Sequence, residues 1–186
     1  MQSATRRRAR AVRVVATFMI VLTVIDTAYA YDSGTFEGDG AVTDRGFWSY
    51  GPRYRIELRP NLSLATPDRR QFRFRGLPSD PLSLFLAIQD RAGHEYERLR
   101  ILGTLVDLTL ADNRGTEVCR AVGPLRDWQL MWSGGGDGAY WRRPCTELRL
   151  QSREWYTLIV VVSDVDSASP AIRVAPVLSG GGWDSP

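Results

Sequence analysis

The stretch Leu82–Ile88 reads LSLFLAI. Leucine or isoleucine stands at every second position, and Ser83, Phe85 and Ala87 fill the positions between them. A short run of this composition, with Pro81 before it and a polar turn after it, is typical of a strand covered on both faces. The stretch therefore predicts a central strand in a layered β protein.

Shorter stretches on either side repeat with a period of two. Tyr54, Ile56 and Leu58 alternate with charged residues, and Phe72 and Phe74 do the same. This alternation predicts strands with one face on the core and one in water. Seven prolines fall between these runs or at their ends, where strands tolerate them: Pro60, Pro67, Pro78, Pro81, Pro124, Pro144 and Pro170. Further strands are predicted at 99–101, 106–110, 118–122, 128–132, 148–150, 155–162 and 171–177.

These segments together predict an all-β fold. Nine or ten strands follow one another with turn signals about 8–12 residues apart, and no convincing helix exceeds about two turns. The expected architecture is an antiparallel β-sandwich, either Ig-like or jelly-roll, with one disulfide. A closed barrel is the alternative.

The first thirty residues predict a cleaved secretory signal peptide. Five arginines precede the largely apolar run 14–25, and Ala28-Tyr29-Ala30 places small residues where a signal peptidase cuts. The run of 12 residues is shorter than the roughly 20 that a spanning helix needs. We expect cleavage after Ala30, a periplasmic or secreted protein, and no transmembrane segment thereafter; an uncleaved anchor is the alternative.

Removing 30 of the 186 residues leaves 156, enough for one domain with its own core. Residues 31–52 form a Gly- and Asp-rich N-terminal segment, and residues 179–186 form a Gly-rich tail. Between them, residues 53–178 are expected to fold as a single sandwich domain. No second composition regime interrupts this stretch.

Cys119 and Cys145 are the two cysteines of the chain. In an exported protein an even pair predicts a disulfide. The two residues are 26 positions apart, for which chain-entropy reasoning gives a stabilisation of about 3 kcal/mol. A redox pair is not indicated, because the spacing is not Cys-x-x-Cys.

Charge is unevenly distributed along the chain. All 24 basic residues are arginine, and the formal charge is +3. Without residues 1–30, nineteen arginines and twenty acids leave −1, of which residues 53–75 carry +5 and the remainder −6. If the strands at 53–59 and 71–75 pair as a hairpin, four arginines project from one face and can grip an anionic partner bidentately. They are Arg53, Arg55, Arg73 and Arg75; a solvated face that deters edge aggregation is the alternative.

A second candidate site is aromatic. Trp132, Tyr140 and Trp141 flank a glycine-rich loop, and such loops with flat rings are suited to sugars or peptides. The period of two in Trp128-Leu130-Trp132 favours a core position for both tryptophans. Tyr140 and Trp141 are expected on a loop inside the disulfide ring, which Cys145 would hold in place.

Catalytic chemistry has few candidates in this sequence. The absence of lysine excludes a P-loop lysine and a Schiff base. His94 is the only histidine, and no Gly-x-Ser-x-Gly elbow or zinc motif accompanies it. Asp164 and Asp166 would point the same way from a strand and need a partner elsewhere to act as a glycosidase dyad. Acids in the N-terminal segment, which match no calcium-loop spacing, are Asp32, Glu37, Asp39 and Asp44.

These observations predict an exported, non-catalytic β-sandwich that binds another envelope or secreted protein, as a periplasmic inhibitor or immunity-type protein does. A carbohydrate-binding module that uses the loop aromatics on a glycan is the alternative, and a hydrolase is a third hypothesis. No cofactor or metal is expected. Nucleic acid is not expected as a partner, because the mature chain has no net basic charge and no binding motif.

Overall fold

The computed structural model describes residues 36–44, 54–77, 81–89, 100–132, 139–142, 145–166 and 172–180. These residues lie in one compact unit. Within them no helix has the length and apolar character needed to cross a membrane. They contain a 3₁₀ turn, Leu125–Asp127, and twelve strands: β1 Glu37–Gly38, β2 Gly40–Asp44, β3 Tyr54–Leu58, β4 Leu62–Ser63, β5 Asp68–Arg75, β6 Leu82–Ile88, β7 Leu105–Ala111, β8 Glu117–Pro124, β9 Gln129–Trp132, β10 Ala139–Arg142, β11 Tyr156–Ser163 and β12 Arg173–Gly180.

The strands form two antiparallel sheets. Sheet A has the order β1-β5-β11-β7-β8, and sheet B has the order β2-β3-β12-β6-β10-β9, with β4 also beside β12. Each sheet has two edges among the described residues, so the arrangement is a sandwich and not a closed barrel. The predicted all-β antiparallel sandwich is confirmed. The strand count exceeds the expected nine or ten, partly because the N-terminal segment supplies β1 and β2.

Alternation of buried and more exposed residues places the core between the sheets. In β7 and β11 every second residue is buried, and β3 follows the same pattern. Each of these strands therefore turns one apolar row inward and leaves the other row on the outside. The largest fully buried side chains include Ile56, Leu58, Leu62, Leu64, Phe72, Phe74, Leu77, Leu82 and Leu86.

Strand β6 departs from this alternation because all seven of its residues are buried. Leu84 and Leu86 belong to the main core, whereas Phe85 and Ala87 form a second small cluster with Val177 of β12. Phe85 lies directly opposite Val177 in the β6–β12 ladder. The prediction that Leu82–Ile88 is covered on both faces is confirmed.

The chain passes from sheet A to sheet B at Asp39, between β1 and β2. The Asp39 N–H donates to the carbonyl of Arg73 at 3.0 Å, and its carbonyl accepts from the N–H of Arg59 at 3.3 Å. One carboxylate oxygen of Asp39 also accepts from the Arg73 N–H at 2.8 Å. Residue 39 therefore ties a strand of sheet A to the end of β3 in sheet B.

A disulfide joins the sheets at the other edge. Cys119 lies in β8, the outermost strand of sheet A, and is bonded to Cys145. The Cys145 carbonyl accepts from the N–H of Leu84 in sheet B at 2.9 Å. The predicted disulfide is confirmed, and it closes the side of the sandwich opposite Asp39.

Two predicted strands take another form. Ile101 lies outside the strands and is 67% exposed. Leu148 makes an isolated bridge with Leu82, and both Leu148 and Leu150 are buried. The apolar residues at 148–150 thus serve the core without forming a full strand.

Candidate binding face

The predicted arginine hairpin does not form. β3 belongs to sheet B and β5 to sheet A, so Arg55 and Arg73 lie in different layers, and Arg53 is outside the described residues. The physical reason is that both strands carry an inward apolar row, which two facing sheets bury more fully than one hairpin can. The chain between them forms β4, which pairs with β12, before it enters β5.

Strand β5 contains four arginines, at positions 69, 70, 73 and 75. Phe72 and Phe74 are fully buried, whereas Arg69, Gln71 and Arg73 are exposed. Because side chains alternate along a strand, the odd-numbered residues of β5 lie on the outside of sheet A. Arg73 and Arg75 of the sequence prediction are therefore both on this surface.

The register extends this surface across sheet A. Residues directly opposite one another in neighbouring strands share a face. We call the surface made by the three rows below, together with Arg75 and Trp155, the outer A face. Its rows, read from β8 through β7 and β11 to β5, are Val122-Asp107-Val161-Arg69, Arg120-Thr109-Ile159-Gln71 and Glu117-Ala111-Thr157-Arg73.

The middle of the outer A face is apolar. Ile159 and Val161 of the central strand β11 are half-buried, and Val122 on β8 is 40% exposed. Among the described strands, none packs over these side chains, whereas the inward row faces sheet B. Partly exposed β-branched side chains therefore lie at the centre of this face.

At one corner, Trp155 lies beside two guanidinium groups. The Arg73 Cζ is 4.6 Å and the Arg75 Cζ 4.8 Å from the centre of the Trp155 ring. Both distances are within the cation–π range. Arg75 also pairs with Glu37 of β1 through a nitrogen–oxygen distance of 2.6 Å. The indole is thus held in place by its neighbours and is half-buried.

On the β8 side, Arg120 pairs with Asp107 at 2.6 Å. The hydrogen bond from Arg120 holds the pKa of the Asp107 carboxyl below its usual value, and a bond from Thr109 at 3.2 Å acts in the same direction. The same carboxylate raises the pKa of the Arg120 guanidinium. On this side of the outer A face, the positive charge of Arg120 is therefore paired with the negative charge of Asp107.

On the β5 side, two of the described arginines have no such acidic partner. Among the described residues, no acidic side chain lies within ion-pair distance of the guanidinium of Arg69 or Arg73, whereas Arg70 pairs with Asp68 at 3.1 Å and Arg75 with Glu37. Two positive charges therefore border the apolar centre along β5. The unpaired positive charge of the described face is therefore concentrated along β5 and not along β8.

The aromatic candidates are only partly placed. Tyr140 and Trp141 lie in β10, in register with Ala87 and Leu86 of β6, so the prediction of a loop at these residues is wrong. The apolar edge of β6 recruits them as a paired strand. Trp132 ends β9, and the side chains of these three residues are outside what the structure describes. Trp128 is 5% exposed and donates its indole N–H to the Gly123 carbonyl at 3.2 Å, which confirms its core position.

Three of the acidic candidates have structural partners: Glu37, Asp39 and Asp166. Asp164 and Asp166 follow the end of β11, so the prediction of a strand-borne pair is wrong. Asp166 accepts from the Gly103 N–H at 3.1 Å, which gives it a role in joining two loops. Glu37 forms an ion pair with Arg75, and the Asp39 carboxylate accepts a hydrogen bond from the backbone N–H of Arg73. No group of three potential metal ligands occurs within the described segments, and His94, Asp32 and Arg53 lie outside them.

Neither the known protein families nor the curated protein sequences contain a match. A functional hypothesis must therefore rest on the residues of the outer A face.

Proposed function

We propose that this protein is an exported, non-catalytic binding protein of the inhibitor or immunity type, and that the outer A face holds another protein in the periplasm or outside the cell. The observation that carries the proposal is the composition of this face. A half-buried apolar centre is bordered by Trp155 and by Arg69 and Arg73, which have no acidic partner among the described residues. Arginine and tryptophan are enriched in the energetically important parts of protein interfaces.

Rigidity supports the same proposal. Ile159 and Val161 project from the central strand of sheet A, whose inward residues Leu158 and Val160 are fully buried. A partner would meet side chains that are already ordered, so little conformational entropy is lost on binding. A disulfide and a sandwich without described membrane-spanning helices are compatible with an exported protein.

The test uses variants on and off the proposed face. The protein is used as bait in an envelope extract of its host, and any stoichiometric partner is purified for calorimetry. Val161→Arg introduces a charge into the apolar centre and should abolish capture. Ile101→Arg places the same charge at a position that is 67% exposed and outside the outer A face, so capture should persist.

Circular dichroism melting of both variants shows whether each is folded. Equal partner binding by folded Val161→Arg and by the unaltered protein would contradict the proposal. Binding to glycans in place of a protein would support the carbohydrate alternative instead.

A further inference from the structure

Among the described residues, the edge of sheet A next to β5 is only partly covered. β5 has eight residues, whereas its outer neighbour β1 has two, Glu37 and Gly38, which pair with Arg75 and Phe74. Asp39 extends the contact to Arg73 and then carries the chain into sheet B. In the described part of the chain, no strand lies beside Asp68–Phe72 on this side.

The backbone of this uncovered stretch faces outward at defined positions. Both the N–H and the carbonyl of Arg73 bond to Asp39, so the polar groups of Arg73 point away from β11. In an antiparallel ladder this orientation repeats at every second residue. Gln71 therefore presents both its N–H and its carbonyl at the open edge. Arg69 presents its carbonyl there, whereas its N–H already donates to the Asp68 carboxylate at 2.8 Å.

Strand β1 shows what kind of sequence this edge accepts. Phe36 stacks inward on Phe74 with ring centres 6.5 Å apart, and the next residue, Glu37, reaches outward to Arg75. The segment thus places one apolar side chain inward and the next, acidic side chain outward, and Gly38 follows without a side chain. Further along the same edge the outward guanidinium is that of Arg69, which has no acidic partner among the described residues.

We propose that the open edge of β5 receives an acidic extended segment of the partner protein, which adds to sheet A as a strand in line with β1. Its outward acidic residues would meet Arg69 and Arg73, and its backbone would bond to Gln71. This deepens the proposed function, because it assigns a segment of the partner to the border of the outer A face. Addition of a strand to an exposed edge is a general mode of peptide recognition.

Charge argues against a second copy of this chain as the occupant. Two antiparallel β5 edges centred on Gln71 would place Arg69 of each copy opposite Arg73 of the other. Like charges opposite one another destabilise a strand pair. The same arginines that discourage self-association would attract an acidic strand.

The experiment measures fluorescence anisotropy with two labelled decapeptides, one of alternating glutamate and valine and one of alternating lysine and valine. The acidic peptide should bind the purified protein, and the basic peptide should bind at least about tenfold more weakly. Gln71→Pro removes the N–H at the open edge, where proline is tolerated, and should abolish binding. Gln71→Ala retains the N–H and should weaken binding far less than Gln71→Pro does.

A charge exchange covers the case in which Gln71→Pro does not fold. Arg69→Glu should weaken the acidic peptide by about tenfold or more and improve binding of the basic one. No binding of the acidic peptide at millimolar concentration, or equal binding by folded Gln71→Pro, would overturn the proposal. So would a dimer of the unaltered protein that Gln71→Pro disrupts, because the occupant would then be a second copy.

Failure of this inference can be told apart from failure of the proposed function. If Val161→Arg abolishes partner capture but Gln71→Pro does not, the outer A face binds the partner and the β5 edge does not.

Discussion

Cys119, in the outermost strand of sheet A, is bonded to Cys145, whose carbonyl accepts a hydrogen bond from Leu84 in the middle of sheet B. The disulfide therefore connects the two layers of the sandwich at the edge opposite Asp39. Cys145 is buried, whereas Cys119 is partly exposed.

Removal of this bond should lower stability without changing the fold. The double variant Cys119→Ala/Cys145→Ala is expected to lose about 3 kcal/mol, because its unfolded chain gains the freedom that the bond removes. Denaturant unfolding of the oxidised protein and the variant measures the difference. Reducing agent should destabilise the oxidised protein by a similar amount and leave the variant unaffected; a variant as stable as the oxidised protein would contradict this account.

Gly38 should not tolerate a side chain. Its φ is +131°, and a Cβ built there would lie 2.1 Å from the carbonyl oxygen of Arg73. Gly38→Ala is expected to break the β1–β5 pairing and to cost at least about 2 kcal/mol, because left-handed strain adds to a backbone clash. Chemical denaturation provides the measurement.

Gly115→Ala is the matched control for Gly38→Ala. Its φ is also positive, at +79°, but a Cβ there would meet nothing within 4 Å. It should cost only about 1 kcal/mol, from conformational strain alone. Equal losses in the two variants would show that the contact with Arg73 contributes nothing.

Neighbouring residues of β11 should respond oppositely to truncation. Leu158 is fully buried between the sheets, so Leu158→Ala is expected to cost about 2–5 kcal/mol. Ile159 is half-buried on the outer A face, so Ile159→Ala should cost much less stability but weaken partner capture. Melting curves measure the loss of stability, and calorimetry with the captured partner measures the loss of binding. A larger stability loss for Ile159→Ala than for Leu158→Ala would contradict the assignment of Leu158 to the core.

Much of the fold followed from the alternation of residue types, and β7 shows why. Val106, Leu108 and Leu110 alternate with the polar residues Asp107 and Thr109, and all three apolar residues are buried. The short strand β1 was missed because two residues in a Gly- and Asp-rich segment carry no period. Its formation depends on Gly38, whose conformation permits close contact with Arg73, and on the ion pair between Glu37 and Arg75. Such a contact between distant parts of the chain leaves no local signal.

The candidate site was harder to predict than the fold. The sequence indicates the arginines of β5. Their neighbours depend on which strands pair with β5, and the charge of the segment does not encode that pairing. In β11 both rows are largely apolar, so the sequence does not distinguish the inward Leu158 from the outward Ile159. Trp155 begins the predicted strand 155–162, and only the register of β5 and β11 brings it next to Arg73 and Arg75.

Stability should depend on pH through the pair formed by Asp107 and Arg120. The hydrogen bond from Arg120 lowers the pKa of Asp107 in the folded protein. A carboxyl whose pKa is lower when folded stabilises the protein above its unfolded pKa, near 3.9, and this contribution is lost as the pH falls through the folded pKa. Asp107→Asn should therefore reduce stability at pH 7 and leave the protein with less further loss on acidification.

Urea midpoints at pH 7 and at about pH 2, below the usual aspartate pKa, measure this dependence. The difference should be small compared with that of Leu158→Ala, because the Arg120 side chain is 51% exposed and water screens exposed ion pairs. Arg120→Gln should reproduce the effect of Asp107→Asn, and the double variant should add little to either single change. Additive losses would mean that the two side chains act independently, and an unchanged acid dependence in Asp107→Asn would mean that this pair makes no contribution to it.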